Sequence, residues 1–422
     1  VRYLYIVLSY LLLPATLIRL TWRSRNNPAY KQRWRERFAF VAIPKKYQHG
    51  VWFHAVSVGE VIAATPLIRA MMDQYPNLPI ILTTMTPTGS DRVKANLPDS
   101  VFHVYAPYDF YDVVNRFLNK AQPKLIILME TELWPNTLYA AKKRNIPTLL
   151  ANARLSARSA KGYNRFQPIA GEMMRNLSII AAQAAHDKQH FIDVGACPET
   201  IQQVGNIKFD LRIPASIIES AELLRQQFGA DRPTWIAAST HDGEDEQILK
   251  AFKIIRKNIP HALLVLVPRH PERFDKVASL CTKQGFSVIR RSKRQAATPK
   301  TDVFLGDTMG ELRLFLAAVD VAFIGGSLVP TGGHNMLEAA ALSLPILTGP
   351  HIHNFLEVSQ LLKDAQALTV VNDATALAEQ VTLLFSQPEL RQAQGEKARS
   401  VVDANGGSLK KHMQIIETLL SS

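Results

Sequence analysis

The chain has 422 residues, and its 49 Lys and Arg against 36 Asp and Glu give a formal net charge of +13. That length is too great for one ordinary core and suits two domains of roughly 200 residues each; a 47% hydrophobic content without low-complexity tracts or internal repeats excludes a disordered chain. Cys197 and Cys281 stand alone in their neighbourhoods, which excludes a disulfide framework or a CxxC-type metal site and suits a reducing cytoplasm.

The first element is an apolar run from Tyr3 to Ile18, followed at once by Arg19, Arg23, Arg25, Lys31, Arg33, Arg35, Arg37, Lys45 and Lys46 against the single acid Glu36. Anionic lipid headgroups attract such a pattern, at about 1 kcal/mol per basic residue. The run is slightly shorter than the roughly 20 residues of a full crossing, and Pro14 interrupts it, so spanning the bilayer and lying in its interface are both open. The basic flank places everything after it in the cytoplasm. A cleaved signal peptide is disfavoured, because the charge follows the apolar run and no small-residue cleavage site appears. No nucleic acid is expected as a partner, since no basic strand interleaved with aromatics and no nucleic-acid module is present. A second basic cluster, Lys253 to Lys300, includes Arg290 to Arg294, which reads as a solvated loop.

Short runs rich in Val, Ile and Leu then alternate with stretches of helical period. They are Val51–His54, Pro79–Thr84, Lys124–Met129, Pro147–Ala151, Ser178–Ala182, Thr234–Ala238, Ala262–Val267, Asp302–Leu305, Val321–Ile324 and Pro345–Thr348. Continuous apolar strands alternating with helices predict parallel sheets covered on both faces, hence two doubly wound α/β domains. The break falls near Gly205–Ser216. The expected layout is an anchor segment over 1–20, domains over 21–208 and 209–405, and a final helix over 406–422 that packs back on the first domain. Ligands of such sheets bind beyond the carboxyl ends of the strands, so an active site is expected in a cleft between facing domains.

The first strand leads through Ser57 and Gly59 to Glu60, in the first turn of a helix. Glycine there permits close approach of a ligand, and the carboxylate can either deprotonate an acceptor hydroxyl or complement the helix dipole. Glu130 and Glu132 close the Lys124–Met129 strand, where they can ligate a hard cation, bind sugar hydroxyls or pair with cations such as Arg154. In the second half, Pro268-Arg269 sets a fixed cation at a strand end, a candidate phosphate contact. The glycine-bracketed loop Gly306–Glu311 can present Met309, Gly310 and Glu311 to the edge of a base. Gly325-Gly326-Ser327 and Thr331–Glu338 precede a helix, where exposed N–H groups and the dipole favour an anion and Glu338 can accept from ribose. No Walker loop and no Gly-x-Gly-x-x-Gly follows the first strand, which disfavours ATPase and simple dehydrogenase readings.

Together these segments resemble the 3-deoxy-D-manno-octulosonic acid (Kdo) transferase family of Gram-negative bacteria. The likeness spans HAVSVGE at His54–Glu60, METELWPN at Met129–Asn136, ANARLSARS at Ala151–Ser159, the Lys208-Phe-Asp210 crossover, STHDGE at Ser239–Glu244, PRHPERF at Pro268–Phe274, GDTMGEL at Gly306–Leu312 and GGHNMLEAAA at Gly332–Ala341. One departure is Met336, at a position that is often proline. The resemblance implies a GT-B fold with two Rossmann-like domains and inverting transfer of Kdo from CMP-Kdo to the lipid A precursor at the cytoplasmic face of the inner membrane. It implies Glu60 as general base, with Glu130 and Lys208 stabilising the transition state. Pro268, Arg269, Met309, Gly310, Glu311, Asn335, Met336, Leu337 and Glu338 would bind CMP, while Ser57, Gly59, Glu132 and Arg154 are candidate acceptor or sugar contacts. Neither cofactor nor metal is expected, because cations such as Lys208 and Arg269 can neutralise a single phosphate. The alternative within this architecture is a UDP-sugar transferase or epimerase, separated from it by competition with CMP but not UDP.

Overall fold

The computed structural model describes Arg2 to Ser421. The chain forms two compact units, Val1–Asp210 with Gly406–Ser422, and Leu211–Asn405.

Unit 1 is built on β1 (Val51–His54), β2 (Ile80–Thr84), β3 (Val101–Tyr105), β4 (Leu125–Met129), β5 (Thr148–Ala153), β6 (Ile179–Ala182) and β7 (Ile201–Gln203). These seven strands are parallel, in the order β3-β2-β1-β4-β5-β6-β7. Side chains alternate across a strand, so β1 sends Trp52 into one core layer and Val51 and Phe53 into the other. The second layer is shared by the Val58–Gln74 helix, through Val61, Leu67 and Met71, and by the Ser408–Ser421 helix, through Met413, Ile416 and Leu419. The C-terminal helix is thus a wall of unit 1's core.

Unit 2 repeats the plan with β8 (Thr234–Thr240), β9 (Leu263–Pro268), β10 (Val288–Arg290), β11 (Val303–Leu305), β12 (Val321–Ile324), β13 (Ile346–Thr348) and β14 (Leu368–Val370). Its seven strands are parallel in the order β10-β11-β9-β8-β12-β13-β14. The chain reverses direction across each sheet between two neighbouring strands, β1 and β4 in unit 1 and β8 and β12 in unit 2. Such switch points open a crevice at the carboxyl ends, where ligands bind. Four strands go beyond the sequence expectation, β3, β7, β10 and β14, and all four are sheet edges.

At the amino end, helices Arg2–Leu11 and Leu13–Asn26 meet at a bend of 46°. Pro14 sits in the first turn of the second, where its missing N–H costs nothing. Among the described residues no single helix is long and apolar enough to cross a membrane. Rather than standing apart as a separate segment, these helices belong to unit 1. The Tyr5 hydroxyl donates to Asp109 Oδ2 at 3.0 Å, and Asp109 in turn accepts the N–H groups of Asn136 and Thr137 in the first turn of the Pro135–Lys143 helix.

Candidate active site

In unit 1 the switch point gathers carboxylates. Ser57 caps the Val58–Gln74 helix by accepting the Glu60 N–H at 3.2 Å, and its hydroxyl donates to Glu60 Oε1 at 2.7 Å. The Val56 N–H donates to Glu60 Oε2 at 2.8 Å. Glu60 is therefore both a reciprocal helix cap and a buried acid, 6% exposed. Burial pushes its carboxyl up to about 7, with the charges of Glu132 and Glu130 adding to the effect and the Ser57 and Val56 bonds opposing it. A base is most effective when its pKa lies near working pH. Gly59 is not demanded by packing, since a Cβ built there would meet no atom nearer than 3.8 Å, and the space above it stays open.

Glu130 follows β4 in the left-handed region at φ 55, a strained setting for a residue with a side chain. Its N–H still bonds Ala151 O at 2.9 Å, so the sheet continues while the side chain is re-aimed. Glu130 Oε1 accepts from Lys208 Nζ at 3.4 Å. Burial also raises the Glu132 carboxyl, opposed by the Trp134 indole N–H, which donates to Glu132 Oε2 at 2.9 Å, and reinforced by the Glu130 charge. The cation paired with this cluster is Lys208 rather than Arg154, whose side chain is exposed and whose carbonyl alone joins the site by accepting the Thr131 hydroxyl at 3.0 Å. Among the described residues no group of three or more His, Cys, Asp or Glu side chains is placed to hold a metal ion.

A polar network holds Lys208 in place. Asn152, fully buried and left-handed at φ 51, accepts the Ile207 N–H at 3.1 Å, and its own N–H donates to His412 Nε2 at 2.9 Å on the C-terminal helix. Asn206 joins through Gln183 at 2.9 Å. Burial holds His412 down to about 4, so it stays neutral and able to accept. Nothing in the linear order links these residues.

In unit 2, Arg269 follows β9, and its N–H bonds Thr240 O at 3.0 Å. Among the described residues no carboxylate lies within ion-pairing distance of its guanidinium. The Gly306–Glu311 loop leaves Met309 59% exposed and Gly310 left-handed at φ 86 with open space around it. Arg290, Arg291 and Ser292 of the basic cluster brace this loop, while Lys293 and Arg294 are solvated as expected. Arg290 Nε and the Ser292 hydroxyl each donate to Asp307 Oδ2 at 2.6 Å, and Arg291 pairs with Glu311 at 2.6 Å. Opposite charges supplied by the loop draw Arg290 and Arg291 into half-buried ion pairs.

Two expectations for the glycine loops are corrected. The N–H groups of Gly326, Ser327 and Leu328 do not await a ligand, because the fully buried Glu244 carboxylate takes them at 2.7, 3.0 and 2.9 Å. The helix after Asn335 is only Leu337–Ala341, too short for a large dipole, and the Met336 and Leu337 side chains are buried, leaving main-chain groups for any ligand there. Asn335 Oδ1 accepts the Leu337 N–H at 3.1 Å, and Glu338 pairs with Arg313 at 2.8 Å. His241 and His334, missed in the sequence, stack with Nε2 atoms 2.8 Å apart. Burial, reinforced by Arg269 and His241, holds His334 down to about 4.

Residues 32–211 match the protein family described as 3-deoxy-D-manno-octulosonic-acid transferase (kdotransferase), and residues 244–401 match glycosyl transferases group 1. The chain is 44% identical to a 3-deoxy-D-manno-octulosonic acid transferase of Haemophilus influenzae, with 99% of each covered. The chain belongs to the Kdo transferase family. As a Kdo transferase it is a glycosyltransferase, and its two parallel-sheet units have GT-B-like neighbours among solved structures. A glycosyltransferase from Rickettsia africae matches with TM-score 0.56 and 14% identity over 88% of this chain and 99% of that one. A UDP-GlcNAc 2-epimerase from Neisseria meningitidis matches with TM-score 0.56 and 15% identity over 88% and 100%. At such identities these two show the fold alone, which transferases and an epimerase share; sequence relatedness is what marks this chain as a Kdo transferase.

Proposed function

We propose that this Kdo transferase moves Kdo from CMP-Kdo to a hydroxyl of the lipid A precursor with inversion at the anomeric carbon, and that Glu60 is the base. The observation that carries this reading is the Glu60 carboxyl itself: buried, oriented by Ser57 and Val56, and pushed by its surroundings to about 7. It takes the acceptor proton while the bond from the anomeric carbon to the CMP phosphate breaks on the opposite face, so a single displacement inverts the centre. Glu130 and Lys208 stabilise the cation-like anomeric carbon and the departing charge. Arg269, with no acid partner among the described residues, meets the phosphate; Pro268, Met309–Glu311 and Asn335–Glu338 hold the rest of CMP, the buried Met336 and Leu337 through their main chain. Ser57, Gly59, Glu132 and Arg154 remain candidates for acceptor or sugar contacts. A single phosphate can be neutralised by fixed cations, so the reaction is expected to proceed in EDTA.

The acceptor is a lipid, and the amino-terminal helices carry the surface to reach it. Tyr3, Leu4, Leu11, Leu12, Ile18 and Trp22 are exposed beside Arg19, Arg23 and Arg25. An amphipathic, basic segment of this kind lies in the headgroup region of an anionic leaflet. The expected location is the cytoplasmic face of the inner membrane.

The test is transfer of labelled Kdo from CMP-Kdo, generated in place, to tetraacylated lipid A precursor in EDTA. Wild type should give product, and Glu60→Ala should bind CMP normally but turn over about 10²–10⁴-fold more slowly. Full activity of Glu60→Ala would sink the base assignment, and competition by UDP rather than CMP would favour a UDP-sugar enzyme.

A further inference from the structure

Glu244 has no place in the donor-binding set above, yet it is fully buried and both of its oxygens are engaged. Oε2 accepts the N–H groups of Gly326 and His241 at 2.7 and 3.1 Å, and Oε1 accepts those of Ser327 and Leu328 at 3.0 and 2.9 Å. Three successive N–H groups converging on one acid, with Gly326 left-handed at φ 67, form the kind of nest that proteins use to hold phosphate. It lies between the ends of β8 and β12, at the switch point where open sheets take their ligands. Gly325 makes room for the acid, since a Cβ there would come within 2.9 Å of Glu244 Oε2. The same turn abuts the histidine pair, because a Cβ on Gly326 would lie 3.1 Å from His334 Nε2. The charge of Arg269 is felt at both His334 and His241, so cation, histidines and nest form one cluster.

We propose that Glu244 is a specificity-determining residue that confines this site to leaving groups bearing a single phosphate. The proposal rests on the CMP-donor reading above. One phosphate satisfies Arg269. A second, extending toward the Gly326 turn, would find the N–H groups already taken and a fixed carboxylate behind them. Like charges brought together away from water repel strongly, and building in such repulsion is how a site rejects the wrong ligand.

The test compares binding of CMP and CDP to the full chain by calorimetry for wild type, Glu244→Gln and Glu244→Ala. Wild type should prefer CMP by roughly tenfold or more, and both variants should narrow that preference by a similar factor. Inorganic phosphate should raise the melting temperature of Glu244→Ala more than that of wild type, by filling the vacated nest in addition to meeting Arg269. A purely structural residue would weaken both nucleotides alike. Folded variants that keep the wild-type preference would overturn the proposal, as would failure of both variants to fold even in phosphate. A wild type that binds neither nucleotide would instead overturn the donor reading, whereas equal binding of CMP and CDP by wild type would sink the specificity role alone.

Discussion

Glu60 caps its helix with the same two oxygens that the proposed mechanism uses for proton transfer, and the two roles make opposite demands on pH. As base it must be ionised, so the rate of transfer should rise with pH through about 7 and level off above it; a pH profile of kcat/KM checks this, and the limb should vanish in Glu60→Gln. Stability runs the other way. The folded pKa of about 7 exceeds the ordinary 4.5, so this group's contribution is fully present below 4.5 and is lost as pH rises through about 7. Denaturant titrations of wild type and Glu60→Gln should therefore change in relative stability by about 3 kcal/mol between those limits, with wild type losing ground at high pH. The sequence placed Glu60 in a first helical turn, as a candidate base or a complement to the helix dipole, but the reciprocal cap with Ser57 came only with the structure. Nor did the sequence reveal that Glu244 is held by N–H groups more than eighty positions away, since only the fold brings β8 and β12 side by side.

The strands recognisable in the sequence are those buried on both faces, such as β1, β4 and β9, whose apolar runs are continuous. The four that were not are edge strands, with a partner on one side only and incomplete burial, as in β7 with Gln202 and Gln203 exposed and β10 nowhere fully buried. An edge need not exclude water, so its pattern blurs into that of a loop. β10 shows what such an edge can do, because its last residue, Arg290, and the Arg291 that follows it brace the Gly306–Glu311 loop. Asp307→Ala removes the acceptor of three bonds from Arg290 and Ser292. The expected cost is about 1–3 kcal/mol of stability, read by thermal unfolding. Weaker CMP binding should accompany it, while the pH limb set by Glu60 stays where it was.

For the whole molecule, membrane attachment and chemistry should separate. Removing residues 2–26 should abolish sedimentation with vesicles of anionic phospholipid, with little effect on CMP affinity. Undiminished vesicle binding would place the membrane contact elsewhere. The C-terminal helix has a different role, since Ile416 is fully buried in the layer that covers β1. Ile416→Ala should cost about 2–5 kcal/mol and lower the calorimetric transition of unit 1 but not that of unit 2.

Because part of the wall of unit 1's core follows unit 2 in the chain, the order of synthesis and the order of completion differ. Leu211–Asn405 is contiguous and can close its own core as it leaves the ribosome. The first part of unit 1 is made before unit 2 yet must wait, one face of its sheet only partly covered by the Val58–Gln74 helix, until Ser408–Ser421 arrives. At about 5–20 residues per second that interval lasts tens of seconds, during which the nascent first half exposes the kind of apolar surface that chaperones bind and that aggregation exploits.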